Sequence, residues 1–118
     1  MNRNRLFIAF ALAAVVALTL LVEAQTAAKQ TFTGVVTDSM CGAKHMIAGK
    51  TDAECTRICV KQGMQYALLV GSKLYTLQGD SAAIDKHDKL AGQRATVTGI
   101  LNGNAVKVDA IKPATKAN

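Results

Sequence analysis

Five short runs rich in β-branched and aromatic residues, each bounded by turn signals, constrain this chain more than any other feature. They are Thr31–Thr37, Tyr66–Val70, Lys73–Leu77, Gln93–Leu101 and Ala105–Ile111, and each reads as a strand. Gly71-Ser72, a two-residue loop with glycine first, predicts a type II′ hairpin between the second and third. Asn102-Gly103-Asn104 predicts the turn between the fourth and fifth. Gly34 and Gly99 lie inside the first and fourth runs, where a missing side chain lets a sheet bend sharply enough to close on itself. The expected fold is mainly β: a small, partly open five-stranded barrel, with a helical insert between strands 1 and 2. The polar stretch Gly79 to Gly92 should hold a short helical turn around Ala82 to Leu90.

The insert carries the chemistry. Asp38-Ser-Met-Cys-Gly-Ala-Lys-His-Met46 forms a loop after the first strand, and Thr51-Asp-Ala-Glu54 has the form of a capping box, with Thr51 able to take the Glu54 amide and Glu54 able to reach back. A helix should start there, run through Cys55, Ile58, Cys59 and Gln62, and stop at Gly63, a residue suited to a left-handed cap. Cys55 and Cys59, four residues apart, then project from one helix face.

As spacings the insert reads Cys-x3-His-x9-Cys-x3-Cys: Cys41, His45, Cys55 and Cys59, all three cysteines of the chain and one of its two histidines. Four such donors suffice for a closed tetrahedral zinc site, and Gly42 gives the loop a tight turn over the helix face. Three thiolates, a neutral imidazole and a divalent ion leave one negative charge, which Lys44, Lys50, Arg57 and Lys61 are near enough in sequence to offset. Copper is the other candidate metal, because Met40, Met46 and Met64 stand close by and thioether with thiolate selects Cu(I). The competing expectation for Met46 and Met64 is that they fill gaps in the core.

A structural disulfide is the rival reading. A bridge within Cys55-x3-Cys59 is geometrically poor on a helix, so Cys41 with Cys59, or Cys41 with Cys55, is the sensible pair, leaving one thiol over. Redox catalysis fits less well, since such pairs use Cys-x2-Cys at a helix start, and no orienting acid or oxyanion hole accompanies Cys41 and His45 as a nucleophile pair. The expectation is a binding module and not an enzyme.

The ends of the chain set its compartment. Met1-Asn-Arg-Asn-Arg5 is basic, Leu6 to Val22 is apolar apart from Thr19, and Val22-Glu23-Ala24 precedes Gln25 as a small-x-small site. That order predicts a signal peptide over residues 1–24, with an uncleaved anchor as the alternative, and an exported, periplasmic or extracellular product that is not membrane-embedded. Residues 25–30 read as a flexible lead, 31–112 as one domain and 113–118 as a disordered tail. Without Arg3, Arg5 and Glu23, 12 basic and 7 acidic side chains remain, spread along the chain. With only Phe32, Tyr66 and Tyr75 as aromatics after residue 24 this is a poor platform for nucleic acid, and none is expected as a partner.

Leu90-Ala-Gly-Gln-Arg-Ala-Thr-Val-Thr-Gly99 resembles the fourth-strand segment of small exported bacterial domains with an OB-fold-like barrel. The set Asp38-Ser39-x-Cys41-Gly42, His45, Cys55, Cys59, Val60, Gly63 and Tyr66-Ala-Leu is similar to a group of secreted bacterial proteins of that kind. The resemblance implies an OB-like barrel and carries no activity across. Barrels of this type bind ligands on the face of their middle strands, so a second class of function is an interaction domain presenting Tyr66 and Tyr75 to an envelope component, with core packing of both rings as the alternative. Asp38 should end the first strand by bonding its own loop amides. His87, set among charges in Asp85-Lys-His-Asp88, should be solvated.

Overall fold

β1 (Gln30–Asp38) changes partners halfway along its length. Its first half, from Gln30 to Val35, pairs antiparallel with β4 (Arg94–Asn102), and its second half, from Val35 to Asp38, pairs antiparallel with β2 (Tyr66–Val70). Gly34 sits at that crossing, and a Cβ there would overlap the carbonyl oxygen of Leu69. Only glycine allows the two neighbours to approach from either side. β2 continues into β3 (Lys73–Gln78) through Gly71-Ser72, with Gly71 at φ +61° as the predicted hairpin requires. β3 then pairs parallel with β5 (Ala105–Pro113), and β5 pairs antiparallel with β4. The order β1-β2-β3-β5-β4 returns to β1, so five strands in one sheet close a ring. The computed structural model that gives this architecture describes residues 27–115, and the predicted signal peptide lies outside the described residues, as do the last three residues of the predicted tail.

The second bend is at Gly99. The register of β4 against β5 slips between Thr98, opposite Ala110, and Gly99, opposite Val108, leaving Asp109 as the extra residue of a bulge. Asp109 turns outward to an ion pair with Lys29 at 2.9 Å. Alternation along β4 sends Ala95 and Val97 inward to full burial, while Thr96 and Thr98 meet Thr33 and Thr31 on the outer face at 3.1 and 3.2 Å. The interior is closed by Val36, Leu68, Val97 and Val106, none of which reaches solvent.

Both ends of the domain run past their predicted limits. Gln30, placed by the sequence in a flexible lead, is paired with Gly99, and Pro113, placed in the tail, is paired with Ala95. Neither end carried the β-branched signal of a strand; each is held by a neighbour instead. Proline is tolerated at the final position of β5, where its missing N–H breaks no interior rung.

Two helices flank the barrel. α1 (Asp52–Lys61) has the predicted capping box, with Glu54 N donating to Thr51 Oγ1 at 3.2 Å and Thr51 N donating to Glu54 Oε2 at 2.8 Å. It ends in a Schellman motif: Gly63, at φ +102°, donates to the Val60 carbonyl at 3.0 Å and Met64 donates to that of Cys59 at 3.1 Å. α2 (Ser81–Lys89) starts at Asp80, whose carboxylate accepts from Ala83 N at 2.9 Å. Among the described residues, no helix is long and apolar enough to cross a membrane.

Candidate metal centre

Asp38, the last residue of β1, organises the loop that follows. Its Oδ1 accepts from the amides of Met40 at 3.0 Å and Cys41 at 2.8 Å, and its carbonyl accepts from Gly42 N at 3.1 Å. Thr37 Oγ1 donates to the Gly42 carbonyl at 2.8 Å, and Gly42 itself holds φ +56°, a left-handed turn that glycine enters without strain. The result folds Cys41 back over α1, where Cys55 is fully buried and Cys59 is 5 % exposed. The loop-bonding role expected of Asp38 is therefore met.

The four sequence-predicted ligands come together around Cys41, but not as one compact set. Cys41, His45 and Cys55 place a ligand atom each within 4.8 Å of one another. A second group, within the same distance, consists of Asp38, Cys41 and Cys59. Cys41 Sγ and Cys59 Sγ are 3.7 Å apart and hydrogen-bonded, and all three cysteines are free thiols. Asp38 is the member that spacing did not supply. It is fully buried, and its second oxygen, Oδ2, has no hydrogen-bond partner. The signal that could have found it is its place three residues before Cys41, on the strand end that aims the loop.

His45 is largely covered, with Nδ1 buried and unpartnered and Nε2 4.0 Å from Asp52 Oδ1, an exposed carboxylate in the first turn of α1. The Cys59 thiol is pushed up to about 12, first by burial, then by its hydrogen bond with Cys41 and by the negative charge of Asp38. In the metal-free protein Cys59 keeps its proton, so a soft cation must displace it on binding. Arg57, one of the cations expected to offset the site's charge, is engaged elsewhere: it donates to the Asp88 carbonyl at 2.9 and 3.2 Å and pairs with the Asp88 carboxylate at 3.6 Å.

One pair of alternatives separates and two expectations are corrected. Tyr66 and Tyr75 follow the core-packing reading, being 5 % and 8 % exposed. Tyr66 OH donates to Asp88 Oδ1 at 2.8 Å, and the Tyr75 ring packs at 4.9 Å from that of Phe32, so the inward alternation of both hairpin strands claims them for the core. His87 is not solvated but 1 % exposed, edge-on to Tyr66 at 5.7 Å, with both ring nitrogens unpartnered. Its charged neighbours in sequence point outward from α2 while it points in. Met46 fills no gap in the core; it is 78 % exposed, and Met40 is 67 % exposed. Comparison with family models, with curated proteins and with solved structures finds no match.

Proposed function

We propose that this protein is an exported binding module that holds zinc or copper through Cys41, His45, Cys55 and Cys59, and performs no catalysis. The observation that carries the reading is the convergence of soft donors on Cys41, with His45 and Cys55 within 4.8 Å and Cys59 at 3.7 Å. Zinc–thiolate bonds of about 2.3 Å set tetrahedral neighbours about 3.8 Å apart. The Cys41–Cys59 separation suits that edge. The capping box, the Schellman motif and the Asp38 amide bonds hold Cys41, Cys55 and Cys59 before any ion arrives, which lowers the ordering cost of binding. Export rests on the N-terminal sequence, and the resemblance to small secreted OB-like domains is consistent with it.

Purification from the exported fraction, followed by metal analysis and thiol titration, tests the reading. Zinc or copper bound in at least stoichiometric amount, with the thiols protected, is the expected result. No metal, one blocked cysteine pair and one titratable thiol would replace it with a disulfide-stabilised structural domain. The single observation that favours that second reading is the same Cys41–Cys59 proximity.

A further inference from the structure

We propose that the site holds two metal ions, the second bound by Asp38, Cys41 and Cys59, with the Cys41 sulfur shared between the two positions. This rests on the metal-binding reading above and assigns Asp38 as a ligand. Donors bonded to one ion at about 2.0–2.3 Å lie at most about 4.6 Å from one another. The five donors here do not make one such set. They make two, Cys41 with His45 and Cys55, and Cys41 with Asp38 and Cys59, and the two have only Cys41 in common.

Asp38 supplies the independent sign of a ligand. It is fully buried, its Oδ1 is fully used by two loop amides, its Oδ2 is buried with no partner, and its carboxylate lies within 4.8 Å of the Cys41 and Cys59 sulfurs. A buried carboxylate oxygen left unpaired is costly, and a cation beside it removes that cost. Charge points the same way. Three thiolates and a carboxylate carry four negative charges, of which one divalent ion offsets two, and Arg57, one of the four cations near in sequence, is bound to Asp88. Two divalent ions offset all four. A thiolate has lone pairs enough to bridge, and Cys41 is the cysteine on the loop, between the helix donors and the end of β1.

The test is stoichiometry. The full chain, made metal-free under reducing conditions, is dialysed against zinc, and zinc per chain is measured with the native mass of the loaded form. Two ions are expected in the wild type and one in Asp38→Asn, which retains an oxygen for the Met40 and Cys41 amides while replacing the Oδ2 donor. Cys59→Ser should also hold one, and decides the matter if Asp38→Asn does not fold. One ion in the wild type overturns the second position and leaves the metal-binding reading standing, whereas no ion in the wild type overturns both. Two ions retained in Asp38→Asn, or both lost in Cys59→Ser, equally overturn the proposal, the first by removing Asp38 from the ligands and the second by making the donors a single site.

Discussion

The sulfurs of Cys41 and Cys59 face each other at 3.7 Å across the contact between the β1 loop and α1. Cys55, a turn earlier on the same helix, makes no hydrogen bond with either. If the metal-free protein is oxidised with a small disulfide, peptide mapping should therefore find Cys41 bridged to Cys59 and Cys55 spare. That bridge would stabilise the metal-free fold by about 3 kcal/mol, since it closes a loop of roughly twenty residues. In the zinc-loaded protein the same oxidant should leave all three cysteines unbridged. Mapping of a Cys41–Cys55 bridge would show that the loop packs differently from the arrangement described.

His45 separates a ligand from a loop residue. His45→Ala should weaken zinc binding at least about tenfold, lowering the stability of the loaded protein by about 1.4 kcal/mol or more, because ligand affinity adds directly to the folded state. The metal-free form should lose less, only what removing a largely covered ring costs. Melting curves with and without chelator measure both, and equal losses in the two states would remove His45 from the ligands.

His87 should make the domain acid-sensitive at a pH above the range where carboxylates titrate. Burial holds its pKa below the ordinary 6.5. As pH falls through 6.5 the unfolded chain takes up a proton that the folded chain refuses, so stability declines from there until the lowered folded pKa is reached, and it is fully present only above 6.5. Glu54, held below 4.5 by the Thr51 amide and hydroxyl, loses its contribution in a separate, more acidic window. His87→Leu should flatten the decline between pH 7 and 5. It should cost little at pH 7, since it removes two unpaired nitrogens along with the ring. Denaturant titrations across that range decide it; an unchanged slope would place the acid sensitivity elsewhere.

Tyr66→Phe keeps the ring in the core and removes only the hydroxyl that donates to Asp88 at 2.8 Å. A loss of about 1 kcal/mol in chemical denaturation is expected. Asp88 retains its contact with Arg57, which limits the cost of losing the tyrosine.

Gly34→Ala should be among the most damaging single changes. The new methyl would overlap the Leu69 carbonyl oxygen, which is fixed in the ladder between β1 and β2, and no side chain can move aside to relieve it. A loss of about 4 kcal/mol or more, or failure to fold, is the expected outcome by circular dichroism. Gly63→Ala, in open space, should cost only the strain of its left-handed backbone.

The amino-acid sequence by itself determined whatever depends on neighbours a few residues apart. The capping box at Thr51 and Glu54, the cap at Gly63, the Gly71-Ser72 hairpin and the five strands are local bargains between side chain and backbone, and all are present, the first and last strands running longer than read. The clustering of Cys41, His45, Cys55 and Cys59 was legible for the same reason, since one short insert carries all four. What only the tertiary structure decided is which way each residue faces and what it meets there. His87 and Asp38 are charged-looking positions in sequence, yet one is driven into the core by the packing of α2 and the other is sealed at the end of β1 beneath α1. Met46 went the opposite way, because the loop that Asp38 and Gly42 shape turns it outward. The division of five donors into two groups about Cys41 comes from bringing a strand end, a loop and a helix face to one point. Those three lie up to 21 residues apart in the chain, and no local preference encodes the distances between them.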